Sequence, residues 1–263
     1  MMAAHLTGEM TMTEEQVAPS EAEAPTRADT HVVCDDPDLR ITRYAGETDM
    51  AVVAFTGIGH GMGAIQQDEF VGTAMGDSRN HVISVVDRDR SWYSAPRIAE
   101  RILIALRQLR SELGLRRIVC LGNSMGGFGA LLFAERLGAD TAIGFVPQYT
   151  MRLDFGERRW AKFREHMVDA NMETLGPHLT GRTRAYTVFG ADDLRDRMHL
   201  QRIKTNCIAR VHLVDGCDHT NLTRDLKRRR ILAPLIAAMI AHDDREVARL
   251  LESDSDNPGQ GPI

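Results

Sequence analysis

The sequence predicts an α/β fold, with helices on both faces of a mostly parallel sheet. Three observations lead there. Short, largely apolar stretches, Met50 to Phe55, His81 to Val86 and Arg117 to Leu121, have the character of strands covered on both faces, which is how parallel strands are buried. Between the second and third lies a segment whose apolar residues recur at helical spacing: Ile98, Ile102, Ala105, Leu109 and Leu113. That is the period of an amphipathic helix. The alternation continues towards the end of the chain, and alternating strands and helices pack as a sheet between helical layers.

Taken in order, residues 1–29 are polar and acidic without apolar periodicity and are expected to form a disordered tail. His31 to Cys34 and Leu39 to Tyr44 open the domain as two strands in a hairpin. After the strands at 50–55 and 81–86, the helix over 98–113 has Ser94 as its expected cap and Gly114 as its expected stop. The strand ending at Leu121 runs through Gly122-Asn123-Ser124-Met125-Gly126 into a helical stretch from Phe128. Thr141 to Val146 is the next strand, closed by Pro147. From about Tyr149 to Thr180 the rhythm breaks; this polar stretch, helical around Arg158 to Asp169, reads as a short cap inserted above the strand ends. Strands resume at Thr183 to Phe189 and Ala209 to Val214, with a helix near Met198 to Lys204 between them. A last helical region spans Thr223 to Ala241, which Pro234 should kink or split. The expectation is one domain over 30–250, a cap insertion at about 149–180, and a loose tail over 251–263.

Composition narrows the function. The 263 residues carry a net charge of −5, which argues against a nucleic-acid-binding surface. Four cysteines without a C-x-x-C pair read as reduced thiols. The N-terminus lacks the basic and apolar regions of a signal peptide, and the richest apolar run, Ile231 to Ile240, is too short to span a bilayer. The expectation is therefore a cytoplasmic protein with neither membrane nor nucleic-acid partners. The histidines show no metal-ligand spacing, and the glycines of 57–63 are not followed by G-K-[ST]; neither a metal nor a cofactor is expected.

The chemistry is concentrated in Gly122-Asn123-Ser124-Met125-Gly126. A strand, then G-x-S-x-G, then a helix is the pattern of a nucleophile elbow: the turn lifts the serine hydroxyl clear of the sheet, and the flanking positions must be small. A serine hydroxyl needs a base within hydrogen-bond reach and a carboxylate to orient that base. The chain supplies them downstream in the order acid then histidine. Gly190-Ala191-Asp192-Asp193-Leu194-Arg195-Asp196 follows one strand, and Gly216-Cys217-Asp218-His219 follows the last. Asp192, Asp193 and Asp196 all compete for the acid, Asp193 first, and each is also a natural helix N-cap. Asp218 reads as a solvated loop residue. His60 lies too early in the chain order to be the base, and the remaining histidines, including His178 and His199, are expected on the surface.

With these motifs the chain resembles the α/β-hydrolase-fold serine hydrolases over about residues 48–242. The resemblance implies a central, mostly parallel sheet with helices on both faces and a short cap. It also implies Ser124 as nucleophile, His219 as general base and, from the G-x-x-D pattern, Asp193 as the acid. The oxyanion donors it implies are the N–H groups of Met125 and of Ile58, the latter because relatives carry His-Gly where this chain has Thr56-Gly57. Ser91-Trp92-Tyr93, Ser124-Met125-Gly126-Gly127 and Phe145-Val146-Pro147-Gln148 resemble a bacterial subset whose members occur alone or joined to polysaccharide-related proteins.

Trp92 and Gln148 sit after strand ends, at the functional edge of such a sheet, and are the candidate substrate-binding residues. Arg88 and Arg90 beside Trp92 are candidates for holding an anionic group. The resulting expectation is a serine hydrolase that cleaves a carboxylic ester through an acyl-enzyme, with a small-molecule or carbohydrate ester as substrate. An acyltransferase using the same residues and a non-catalytic scaffold are the alternatives.

Overall fold

The computed structural model describes residues 30–59, 65–77, 79–156, 158–167 and 173–252. The expected tails at 1–29 and 253–263, and His60, lie outside the described residues. The chain opens with an antiparallel hairpin of β1 (Thr30–Asp35) and β2 (Leu39–Tyr44). Then come β3 (Met50–Phe55), α1 (Val71–Met75), β4 (His81–Asp87), α2 (Ile98–Glu112), β5 (Arg117–Asn123), α3 (Met125–Leu137) and β6 (Thr141–Phe145). The last elements are β7 (Arg184–Gly190), α4 (Leu194–Asn206), β8 (Arg210–Val214), α5 (Leu222–Arg228), α6 (Leu232–Ala241) and α7 (Asp244–Glu252). All eight strands join one sheet in the order β1-β2-β4-β3-β5-β6-β7-β8. β2 runs antiparallel to β4; β4, β3, β5, β6, β7 and β8 are mutually parallel.

This order positions the site. The chain moves from β3 outward to β4, then crosses back to place β5 on the other side of β3. In open parallel sheets such a reversal leaves a crevice at the strands' carboxyl ends, where ligands bind. Here Phe55 at the end of β3 is in register with Gly122 of β5, so the loop after β3 and the turn after β5 are direct neighbours. The central strands are largely apolar and buried along their middles, as expected of strands covered on both faces. Helix α2 buries Ile98, Ile102, Leu106 and Leu109 on one face.

Several local expectations are corrected. Ser94 does not cap α2: its hydroxyl donates to the carbonyl of Ser91 at 2.6 Å, and the helix starts from Arg97 in a left-handed conformation. Pro234 does not break a helix; it lies in the first turn of α6, where the missing N–H has no intrahelical acceptor to lose, and the break comes just before it, at Arg230 with φ 60°. Helix α7 extends the domain beyond the helical region expected to end at Ala241. It buries Val247 and Leu250, and its Asp244 accepts from Arg184, Tyr186 and Arg210. These donors outweigh its desolvation and hold the carboxyl far below the usual range. Among its described residues the cap between β6 and β7 contains three short 3₁₀ turns, Leu153–Phe155, Ala161–His166 and Gly176–His178.

The tightest packing is at the β5–α3 turn. A Cβ on Gly122 would overlap the backbone of Gly126, and a Cβ on Gly126 would overlap the carbonyl of Phe55. Neither neighbour is a flexible side chain that could yield. Gly122→Ala is therefore expected to cost about 3 kcal/mol or more, read as a lowered urea midpoint for unfolding.

Candidate active site

Ser124 follows the last residue of β5 and precedes the first of α3, with φ 55° and ψ −119°. This is strained for a residue with a Cβ. The strain is sustained by the surroundings: the Ser124 N–H donates to the carbonyl of Phe145 at 2.8 Å, and its carbonyl accepts the Phe128 N–H at 2.9 Å. The hydroxyl lies 2.9 Å from Nε2 of His219. Nδ1 of the same ring is 2.8 Å from Oδ2 and 3.0 Å from Oδ1 of Asp196. An ionised carboxylate can only accept, so Nδ1 carries the ring proton and Nε2 presents its lone pair to Ser124. Asp196 is 1% exposed.

The loop that carries His219 is shaped by its neighbour. Asp218 Oδ1 accepts from the N–H groups of Thr220 and Asn221 and from the Thr220 hydroxyl, and these bonds, the hydroxyl's foremost, lower its carboxyl from the ordinary value. Asp218 is thus a turn-former rather than a merely solvated residue.

Asp193, the first-ranked acid, does not meet His219. It is the N-cap of α4, in an extended conformation, accepting from the N–H groups of Arg195 at 2.8 Å and Asp196 at 3.1 Å. A carboxylate engaged with the first turn cannot also orient a distant ring. Asp196 lies three residues further on, inside the first turn, and meets the ring instead.

Three consecutive carbonyls of the loop after β3 are tied down by side chains. The Tyr93 hydroxyl donates to Thr56 O at 2.7 Å, Gln66 Nε2 to Gly57 O at 2.8 Å, and Arg90 Nε to Ile58 O at 3.0 Å. Glu69 lies beneath the same loop, and burial pushes its carboxyl up to about 7. Among the described residues no acceptor takes the N–H of Ile58 or of Met125.

Neither a protein-family model nor a curated protein matches the sequence. Solved structures do resemble it. The capsule O-acetyltransferase of Neisseria meningitidis serogroup A superposes with a TM-score of 0.59 at 14% identity, covering 76% of this chain and 92% of that one. Thermogutta terrifontis esterase 2 gives 0.53 at 17% identity over 75% and 87%. An alpha-beta serine hydrolase homologue from Coxiella burnetii gives 0.52 at 10% identity over 81% and 99%. With the eight-stranded order above, these likenesses decide the architecture. The protein has the α/β-hydrolase fold.

Within this α/β-hydrolase domain the two candidate substrate-binding residues are placed differently from expectation. Trp92 is fully buried, so it offers no face for a sugar or acyl group. It has φ 53°, its indole N–H donates to Gln148 Oε1 at 3.0 Å, and its ring packs near Trp160 and Phe163 of the cap. Gln148 is also fully buried. With its oxygen committed to the indole, its NH₂ group turns to Ser124 Oγ at 3.3 Å. It contacts the hydroxyl from inside the wall rather than from the surface. Arg88 and Arg90 are likewise engaged within the protein: Arg88 pairs with Asp35, and Arg90 holds Ile58 and lies over Phe163. His199, expected on the surface, is buried; its Nδ1 accepts the Tyr149 N–H at 3.0 Å. Among the described residues no group of three or more His, Cys, Asp or Glu side chains could hold a metal ion. No described helix is long and apolar enough to cross a membrane.

Two elements of the site carried little sequence signal. Trp160, in the cap, stands 6.0 Å from the His219 ring between centroids, and Arg159 beside it pairs with Asp196 at 3.0 Å; the polar cap sequence gave no sign that these two side chains turn inward. Asp87, at the end of β4, organises the turn that follows: its Oδ2 accepts from the Ser91 hydroxyl at 3.0 Å and from the Tyr93 N–H at 2.8 Å, while its Oδ1 is buried without a partner.

Burial pushes the Asp87 carboxyl up to about 6, against an ordinary 3.8. The folded state therefore holds this proton more tightly than the unfolded chain, and the stability linked to it is full below pH ~4 and lost as pH rises through ~6. Asp87→Asn imitates the protonated form. Relative to the wild type it is expected to gain on the order of 3 kcal/mol between pH 4 and pH 7, measured by urea unfolding of both proteins across that range.

Proposed function

We propose that the protein is a serine hydrolase that cleaves a carboxylic ester through an acyl-enzyme on Ser124. The observation that carries this reading is the line of three side chains: Ser124 Oγ at 2.9 Å from His219 Nε2, and His219 Nδ1 at 2.8 Å from Asp196. The hydroxyl stands on a strained turn at the carboxyl end of a central strand. Ser124 combines φ 55° with ψ −119°, outside the left-handed well that non-glycine residues adopt at turns, and strain of this kind clusters at functional sites.

In this mechanism His219 takes the Ser124 proton on Nε2 as Oγ bonds to the ester carbonyl carbon. Asp196 keeps the ring in the required tautomer and stabilises the imidazolium. The carbonyl oxygen becomes an oxyanion and needs preorganised donors. The Met125 N–H, at the start of α3, is one. The second is the Ile58 N–H. Because a trans peptide directs its C=O and N–H to opposite sides, the Gln66 bond that holds the Gly57 carbonyl also fixes where the Ile58 N–H points. Collapse of the intermediate returns the proton from His219 to the leaving alcohol. Water, activated by the same ring, then hydrolyses the acyl-serine. The Trp160 ring, 6.0 Å from that of His219 between centroids, narrows the space beside the base, which favours short acyl groups.

Transfer to a hydroxyl instead of water would use the same residues. The structural likeness to a capsule O-acetyltransferase as well as to an esterase favours testing it. An acylated carbohydrate is the substrate class to try alongside simple esters.

A fluorophosphonate probe is expected to label the wild type, and labelling should vanish in Ser124→Ala. With a p-nitrophenyl ester, Asp196→Asn should lower kcat by about 10⁴-fold. Asp193→Ala should cost about 1 kcal/mol of stability as a lost cap with a far smaller effect on turnover; the opposite ranking would return the acid to Asp193. Gln66→Leu should lower kcat on the order of 10- to 100-fold with KM little changed, because it loosens a donor used only in the transition state. Product analysis with added sugar alcohols separates hydrolysis from transfer.

A further inference from the structure

Asp196 is shared. Its Oδ1 lies 3.0 Å from His219 Nδ1 and 3.0 Å from Nη2 of Arg159, a residue of the cap. The other terminal nitrogen of Arg159 lies 3.4 Å from Oδ2 of Asp193, and its guanidinium sits over the Trp160 ring. The arginine side chain is 12% exposed and Asp196 1%, so this contact is shielded from solvent screening in a way that a surface pair is not.

A buried carboxylate is costly unless charge and hydrogen bonds compensate it. A neutral imidazole offers Asp196 one N–H and no charge. Arg159 supplies the compensating charge, with Nη2 3.0 Å from Asp196 Oδ1. The same positive charge acts against a proton on His219, because guanidinium and imidazolium would then compete for one carboxylate.

The groups facing the ring from each packed element are few. Helix α4 presents Asp196 and, through Arg159, Asp193. The cap presents Arg159 and the uncharged Trp160. The ring's own loop contributes Asp218, whose charge is spread over Thr220 and Asn221. The turn after β5 and the loop after β6 present Ser124 and Gln148, both uncharged. Asp192, at the end of β7, is tied by its backbone to Cys217. Arg159 is the cation in this set.

We propose that Arg159 is a positioning residue that sets how readily His219 accepts a proton, by sharing the Asp196 carboxylate with it. The cap is thereby coupled to the acid–base chemistry rather than being a passive cover. The kinetic consequence rests on the function proposed above; the charge sharing itself does not. If Arg159 merely pinned the cap in place, its loss would lower stability or raise KM and leave the pH dependence where it was.

The test compares the wild type with Arg159→Met, which keeps the stem against Trp160, and Arg159→Lys, which keeps the charge; Arg159→Gln is the second neutral variant should the first not fold. The pH midpoint of His219 protonation is read by NMR from its far-downfield ring proton, and the acidic limb of kcat/KM is read on a short ester. In the neutral variants both are expected to move upward by about 1 pH unit, with kcat affected more than KM, and Lys should return most of the shift. An unmoved NMR midpoint in a folded neutral variant, or an equal shift in the Lys variant, overturns the proposal. Should the wild type neither react with fluorophosphonate nor hydrolyse esters, the proposed function fails, while the NMR midpoint still decides the role of Arg159.

Discussion

The structure depends on how closely three backbone segments approach where β5 turns into α3. The carbonyl of Phe55, the strand at Gly122 and the helix at Gly126 occupy space that any side chain would fill. That proximity sets Ser124 at φ 55° with its hydroxyl off the end of the sheet, and it places the loop after β3 alongside the start of α3. The serine turn and the loop after β3 are therefore made neighbours by one steric arrangement. A serine on an ordinary helix or strand would have its hydroxyl near backbone acceptors of its own element. Here it faces His219 and Gln148.

Around this turn the protein spends buried polar groups in a consistent way. Asp87, Asp196, Gln148 and Gln66 are each almost wholly enclosed. Each holds either a loop or a side chain that reaches the serine. Asp87 bends the 87–95 turn so that Trp92 can grip Gln148; Gln66, Tyr93 and Arg90 hold three successive carbonyls of the 56–58 loop. Buried polar networks of this kind are costly unless satisfied, so they are informative about where rigidity matters. The orphaned Oδ1 of Asp87 and the raised carboxyl of Glu69 mark where satisfaction is incomplete, both next to the segments that line the candidate site.

The cap is the other source of specificity. Its aromatic side chains stand against Trp92 and His219, and its arginine meets Asp196. The cap thus touches both His219 and Asp196, which the sheet alone does not bring under one element. Structures at 10–17% identity share the protein's fold.

The sequence by itself determined the elements whose signal is local. Strands buried on both faces are written as apolar runs, α2 as a helical period, and the turn at Ser124 as glycines at fixed offsets from a serine between a strand and a helix. The chain order of acid and histidine was also legible, because each follows a strand end. Tertiary structure alone decided matters that depend on direction. Asp193 and Asp196 follow the same strand end, and the G-x-x-D resemblance favours the first. Only the helix start, which uses the first as its cap and turns the second inward, separates them. Trp92 and Arg90 sit on a charged loop that reads as exposed, yet left-handed backbone at both and a buried aspartate fold that loop under the site. Arg159 lies in a polar stretch without periodicity, where nothing local tells an outward arginine from one that reaches a buried carboxylate. Helix α7 docks through Val247 and Leu250, and what could not be read locally is that its Asp244 meets donors from β7 and β8. Periodicity records which face is apolar; it does not record which polar side chain finds a partner across the fold, because that partner is chosen by packing geometry.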